Sequence, residues 1–312
     1  MKGRSPAPPS DAAFLIERIR ALASPMDPVP TGVLPKLRLI SGIRAVLLDV
    51  YGTLVISGSG EAGSTDPRHM AGALREALRA CGSRGDLSRP AERGAVLFAE
   101  RIRAHHESAL AAGISFPEIE IRSLWSEVLR ALGEEGLLQE EDARLSLDRL
   151  AVEFDCRANP VWPMPGAGEL LALLRARGLA LGIVSNSQFY TPLLLEALFR
   201  APLEALGIAA DLCGWSYLLG EAKPSPALFR GALAALADRF RVQPHETLYI
   251  GNDMLNDVRT AQGMGCRAAL FAGDARSLRL RRDDPSCRDL RPDAIVTSLH
   301  QVGRIVGEPM RG

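Results

Sequence analysis

Three carboxylates, one ammonium and one hydroxyl in this 312-residue chain lie at or just beyond short apolar runs or turns, where side chains become available for chemistry. Asp49 follows Ala45-Val46-Leu47-Leu48, and Ser185 and Asn186 follow Leu179 to Val184. Asp253 and Asp257 follow Thr247 to Ile250, and Lys223 precedes a Ser225-Pro226 helix start. Carboxylates packed together repel and raise one another's pKa, a conflict that a divalent cation relieves. Oxygen-only ligands suit Mg²⁺, which commonly shares a substrate phosphate. An aspartate at a strand end can be the nucleophile of phosphoryl transfer, giving an aspartyl-phosphate. Lys223 would neutralise nucleophile and phosphate as a compact point charge, and Ser185 could hydrogen-bond a phosphate oxygen. Of 37 basic residues only Lys2, Lys36 and Lys223 are lysine, so Lys223 stands out against an arginine background.

Plainer roles exist for each of these residues. Asp49 and Asp257 could cap helices, Ser185 and Asn186 could be turn residues, and Tyr51 could be a packed aromatic. Gln188, Phe189 and Tyr190 read first as helix-start packing. Arg276, Arg279, Arg281 and Arg282, close to Asp283, Asp284 and Asp289, read as a solvated charged face. Trp125 and Trp162 read as packing in the core or at a hinge.

The elements that must position these residues alternate. Strands are expected at Ala45 to Leu48, Leu179 to Val184, Thr247 to Ile250, Arg267 to Phe271 and Asp293 to Thr297. Helices are expected at Ala167 to Ala176, from Thr191-Pro192, from Ser225-Pro226 through Leu236, and at Asp257 to Met264. This alternation predicts an α/β fold, a Rossmann-like parallel sheet with helices on both faces. Ligands of such sheets bind beyond the carboxyl ends of the strands, where Asp49, Tyr51, Ser185, Asn186, Lys223, Asp253 and Asp257 fall. Between residues 66 and 158 the period is helical throughout: Met70 to Ala80, Ala91 to Ala111, Glu120 to Leu132 and Gln139 to Phe154. The chain therefore divides into an N-terminal extension (1–40), a catalytic core (41–58 and 159–312) and an all-helical insertion (59–158). In the extension, Leu15, Ile19 and Leu22 share one face of a short helix.

Basic and acidic residues both number 37, so the net charge is zero, which disfavours a nucleic-acid binder. No apolar run is long enough to span a membrane, and Met1 to Ser10 lacks a secretory signal's apolar stretch. Five cysteines without metal-ligand spacing read as reduced thiols in a cytoplasmic protein. Oligomeric state and substrate identity leave no signature.

The ordered set of motifs resembles the haloacid dehalogenase superfamily. Asp49-Val50-Tyr51-Gly52-Thr53-Leu54 is similar to its first motif, Ser185 to its second, Gly220-Glu221-Ala222-Lys223-Pro224 to its third, and Gly251 through Asp257 to its acidic fourth. The helical insertion falls between the first and second, as in members with a helical cap. The resemblance implies a Mg²⁺-dependent hydrolase with Asp49 as covalent nucleophile. It implies metal ligation by Asp49, the Tyr51 carbonyl and Asp253, with Asp257 supporting metal, water or Lys223. Thr53, Ser185, Asn186 and Lys223 would surround the phosphate of a small phosphorylated metabolite.

At Tyr51 the chain departs from the family's phosphatases, which carry there a second aspartate that protonates the leaving group and then activates water. A phenol is a poor general base at neutral pH. Tyrosine at this position resembles the family's dehalogenases, whose halide leaves without a proton, whereas the Asp253/Asp257 spacing resembles the Mg²⁺-using members. Three readings follow: a phosphatase on a phosphoester or acyl phosphate, a metal-free 2-haloacid dehalogenase using Asp49, and a non-enzymatic binding protein on the same fold. In the first, an acid from the cap, Glu118 or Glu120, could replace the missing one.

Overall fold

A computed structural model describes residues 11–59 and 66–307. The strands are β1 (Ala45–Leu48), β2 (Val55–Ser57), β3 (Val161–Pro163), β4 (Ala180–Ser185), β5 (Ile208–Trp215), β6 (Thr247–Gly251), β7 (Arg267–Phe271) and β8 (Ala294–Val296). Six of them form one sheet in the order β5-β4-β1-β6-β7-β8, with every pairing parallel. The continuous apolar runs follow from this, because a central parallel strand has no wet face. Along β1, Val46 and Leu48 enter one hydrophobic cluster while Ala45 and Leu47 enter the other, so the sheet separates two cores. Leu48 lies level with Ile183 and Ile250. That register brings Asp49, Ser185 and Gly251 to the same carboxyl edge.

The helices are α1 (Ala12–Leu22), α2 (Pro67–Cys81), α3 (Ser88–Ala111), α4 (Ile121–Glu134), α5 (Leu147–Ala158), α6 (Ala167–Ala176), α7 (Thr191–Phe199), α8 (Ser216–Leu219), α9 (Ala227–Ala235), α10 (Thr260–Gly263) and α11 (Val302–Ile305). Helices α6, α7 and α11 contribute to one core and α9 and α10 to the other, giving the three-layer α/β fold expected from the alternation. Helices α2 to α5 pack on one another around the aromatic trio Phe98, Trp125 and Phe154, with ring centroids 4.7 to 5.4 Å apart. This segment leaves the sheet layer after β2 and returns at β3. The two strands pair antiparallel, and Ser57 Oγ donates to Asn159 Oδ1 at 2.9 Å across the junction. Among the described residues no helix is long and apolar enough to cross a membrane. The five cysteines form no disulfide.

Helix α1 buries Leu15 and Ile19 and packs on both α5 and α7. Arg18 Nε bonds Glu153 Oε1 on α5 at 2.6 Å, and Arg20 Nε reaches the Ala197 carbonyl on α7 at 3.2 Å. Farther along, Lys36 exchanges backbone hydrogen bonds with Ile295 of β8.

Three expectations are corrected. The helix expected over Gln139 to Phe154 is broken: a 3₁₀ turn, Glu140–Arg144, precedes α5, which restarts at Ser146, whose hydroxyl caps it by accepting from Arg149 N. Strand β5 is an addition to the expected set, as are β2 and β3; as an edge strand it exposes Ala210 and Asp211 in its middle and so lacks a continuous apolar run. Finally, the turn that positions the acidic motif begins at Met254, as a π-helical turn over Met254–Arg259, not at Asp257.

Candidate active site

The carboxyl edge of the sheet opens into a cavity of about 370 Å³. It is lined by Asp49, Tyr51, Asn186, Lys223, Asp253 and Asp257 from the α/β layer and by His106, Glu118 and Asp155 from the helical segment. Asp49 is held by its backbone N–H, which donates to Ile250 O at 2.9 Å, continuing the β1/β6 ladder. The chain then turns sharply at Gly52, with φ +77°. A Cβ there would lie 2.0 Å from Asn252 Nδ2 and 2.3 Å from Ser277 Cβ, so only glycine fits. Asn252 Nδ2 donates to the Tyr51 carbonyl at 3.1 Å, tying the first motif to the fourth.

Lys223 is the hub. Its ammonium donates to Asp49 Oδ1 at 2.7 Å, Asp257 Oδ1 at 2.6 Å and Tyr249 Oη at 2.9 Å, while the residue is only 6 % exposed. Burial alone would lower its pKa, but the two carboxylates outweigh that and raise it, so it stays charged. Asn186 fixes the lysine's backbone, its Oδ1 accepting from Lys223 N at 2.6 Å. Tyr249, on β6, gives its own proton to Val184 O at 2.7 Å.

The two acidic residues of the fourth motif exchange the parts that local sequence suggests. Asp253 is the helix cap: its Oδ1 accepts from Leu255 N at 2.8 Å and Asn256 N at 3.2 Å. Asp257 points back into the site and accepts Asp253 N at 2.9 Å through Oδ2. Burial, and then Asp49, push Asp257 upward in pKa against the pull of Lys223. A Cβ on Gly251 would lie 2.3 Å from the Asp257 carboxylate, which accounts for that glycine.

Several expected members take other places. The Ser185 hydroxyl donates to Asn186 O at 3.2 Å, and Thr53 Oγ1 lies 3.4 Å from Asp49 Oδ2; both residues are buried beneath the cavity lining. The solvated reading of the arginine cluster holds for Arg282, which is exposed, and is overturned for the other three. Arg281 forks onto Asp253, with its shortest contact 2.6 Å, Arg276 pairs with Asp274, and Arg279 lines the cavity. The packing reading of Gln188 and Tyr190 is also incomplete, since both line the cavity. Phe189 stacks under Arg122.

The two candidate acids separate clearly. Glu120 caps α4 and bonds Arg122 at 2.6 Å. Glu118 reaches the cavity but is committed. It accepts from Ser216 Oγ at 2.7 Å, Gln188 Nε2 at 3.2 Å and Ile119 N at 3.0 Å, while burial raises its pKa. The Glu118 N–H also donates to Gly220 O at 3.0 Å, seating this turn on the lysine loop. Tyr51 bonds Thr191 Oγ1 at 3.0 Å, and burial, then the Asp155 charge, push its phenol well above the ordinary value, so it is a neutral hydroxyl. Sequence reasoning missed Asp155 and Tyr249 and misread Arg281 as solvated.

The donor set lining the cavity fits a hard cation, because the Asp49 and Asp253 carboxylates and the Tyr51 carbonyl offer oxygen only. Both Asp257 oxygens are filled by protein donors.

A family description reading "haloacid dehalogenase-like hydrolase" matches residues 43–265. The phosphoserine phosphatase of Thermus thermophilus is 31% identical over 240 residues, 73% of this chain and 89% of that protein. The phospholysine phosphohistidine inorganic pyrophosphate phosphatase of Rattus norvegicus is 27% identical over 290 residues, 83% of this chain and 93% of that protein. Among solved structures, the HAD phosphatase from Thermococcus onnurineus aligns with 85% of this chain and 99% of its own at 17% identity and a TM-score of 0.48. The family match covers well over half the chain, from the strand that precedes Asp49 past the turn that carries Asp257. With it, the chain belongs to the haloacid dehalogenase-like hydrolases.

Proposed function

We propose that this hydrolase is a Mg²⁺-dependent phosphatase acting on a small phosphorylated metabolite through an aspartyl-phosphate at Asp49. The carrying observation is the asymmetry of the Asp49 carboxylate. Oδ1 is pinned by Lys223 at 2.7 Å, whereas Oδ2 has one long contact, 3.4 Å to Thr53. One oxygen is thus oriented and the other is available as nucleophile. Attack by Oδ2 on phosphorus forms the acyl phosphate and breaks the bond to the leaving oxygen. Lys223 balances charge at Asp49 throughout, and Asp257 and Tyr249 hold the ammonium in place. Asn186 fixes the lysine's backbone and Ser187 lines the cavity. Asp49, the Tyr51 carbonyl and Asp253 would hold Mg²⁺, with Asp257 behind them. When bound, the ion supplies charge stabilisation at the phosphoryl oxygens.

The phosphatases among the relatives support this choice of substrate class. In this reading residues 59–158 form a cap on a core of 41–58 and 159–312, hinged at the β2/β3 pair, and the cap residues select the leaving group. The test is phosphate release from a panel of small phosphate esters and acyl phosphates, with and without Mg²⁺, alongside 2-haloacids. Phosphate release that needs both the metal and Asp49 supports the reading. Halide release without phosphate release would replace it with the dehalogenase reading suggested by Tyr51.

A further inference from the structure

A phosphatase of this design that acts on an alkyl ester has to protonate the leaving oxygen, and Tyr51 stands where the family's usual acid would be. The cavity lining offers five carboxylates: Asp49, Glu118, Asp155, Asp253 and Asp257. Four are committed. Asp49 holds Lys223, Asp253 caps its turn and pairs with Arg281, Asp257 accepts from Lys223 and Asp253 N, and Glu118 accepts three protein hydrogen bonds. Asp155, on α5, is the fifth; it accepts from the Tyr190 hydroxyl and from no cation named here.

We propose that Asp155 is the general acid and base of this active site, delivering from the helical segment the proton that Tyr51 cannot supply. The assignment rests on the phosphatase reading above. Its ground is placement. Asp155 opens onto the same cavity as Asp49 and Lys223, and its charge is felt at the Tyr51 phenol, whose own hydrogen bond goes to Thr191. Cations around this helix are engaged elsewhere: Arg18 from α1 and Arg157 from α5 both clamp Glu153, at 2.6 and 2.5 Å, and Arg149 from α5 faces Glu153 at 4.0 Å. Arg122 from α4 faces Glu120 and Asp148, and His69 from α2 meets the Ala158 carbonyl. The titratable neighbours that face Asp155 are Tyr190, Tyr51 and Cys156, with His106 and Glu118 lining the same cavity. None of these is a fixed positive charge, so burial pushes the carboxyl up to about 7, against a smaller opposing effect of the Tyr190 hydroxyl. A carboxyl that exchanges its proton near neutrality suits both halves of the reaction.

The proton balance closes. Asp49 Oδ2 attacks phosphorus, the ester P–O bond breaks, and the departing oxygen takes the Asp155 proton to leave as an alcohol. The Asp155 carboxylate then takes a proton from water as the water oxygen attacks phosphorus. The Asp49 acyl-phosphate bond breaks, phosphate leaves, and both side chains return to their starting states.

The test compares p-nitrophenyl phosphate, whose phenolate leaves readily, with a simple alkyl phosphate, whose alkoxide needs the proton, in wild type, Asp155→Asn and His106→Asn. In Asp155→Asn, kcat/KM for the alkyl ester should fall by about 100-fold or more, and the fall for the aryl ester should be at least about ten times smaller. The same variant should give a pre-steady-state burst of nitrophenolate, because the acyl-phosphate outlives the first step. Both substrates are measured on one preparation, so loss of folded protein cancels from the ratio. Equal falls for the two esters overturn the assignment, as does a selective fall in His106→Asn and not in Asp155→Asn. A wild type that releases phosphate from neither ester overturns the phosphatase reading, and this assignment with it.

Discussion

Replacing Lys223 with methionine keeps most of the side-chain volume and removes only the charge and its three hydrogen bonds. Those bonds join Asp49 and Asp257 at 2.7 and 2.6 Å, and the two carboxylates are 5 % and 1 % exposed. The variant leaves two buried like charges facing one another. Removing one partner of a buried ion pair costs about 3–5 kcal/mol, nearly all of it from the stranded charge. The cost must depend on pH in a known direction. Burial and Asp49 already push Asp257 upward, and Lys223 is the main influence holding it down, so without the lysine its folded pKa rises further above the unfolded one. A raised carboxyl stabilises the fold below its unfolded pKa and loses that contribution as pH climbs through the folded value, by about 1.4 kcal/mol for each pH unit that separates the two. Lys223→Met should therefore lose about 3–5 kcal/mol at pH 8 and about 1–2 kcal/mol at pH 5. Urea unfolding followed by tryptophan fluorescence at both pH values, in chelator so that no cation replaces the ammonium, measures this. A loss below about 1 kcal/mol that is equal at both pH values would refute the reasoning.

Gly52→Ala places a methyl 2.0 Å from Asn252 Nδ2 at φ +77°, so strain and overpacking should cost roughly 2 kcal/mol or more. A melting temperature within a degree of wild type counts against the tight-turn account. Arg281→Gln removes the guanidinium that competes for Asp253, and Mg²⁺ affinity by titration calorimetry should tighten roughly tenfold, about 1.4 kcal/mol. Unchanged or weaker binding argues that Asp253 is not a metal ligand.

The parts of this molecule that could be read from sequence are those in which chemistry and local pattern coincide. Ala45 to Leu48 has no polar face, so its burial in a parallel sheet follows, and Asp49 must then emerge at the edge. Lys223 stands out because the chain has so little lysine. The misreadings have a common cause in contacts made at long range. Asp155 lies on the amphipathic helix α5, where an acidic residue reads as a wet face, and only burial against Tyr190 gives it a dry one. Tyr249 reads as one more core aromatic of β6 until Lys223 arrives from 26 residues away. Arg281 lies 28 residues beyond Asp253, among charges that would ordinarily be solvated. The exchange of parts between Asp253 and Asp257 is local, but it depends on a π-helical turn that no composition rule signals. Strand β5 is legible only as a neighbour of β4, since Ala210 and Asp211 in its middle are exposed like a surface segment.

The central claim is that Asp49 carries the phosphoryl group between substrate and water. It is tested most directly by mixing the enzyme with an aryl phosphate and Mg²⁺, quenching in acid within the first turnover, and sequencing the peptides by tandem mass spectrometry. The account predicts a phosphoryl adduct on the Asp49 carboxylate that appears before free phosphate, decays as turnover proceeds and is missing in Asp49→Asn. Steady phosphate release with no adduct at Asp49, or with the adduct on another side chain, would contradict it.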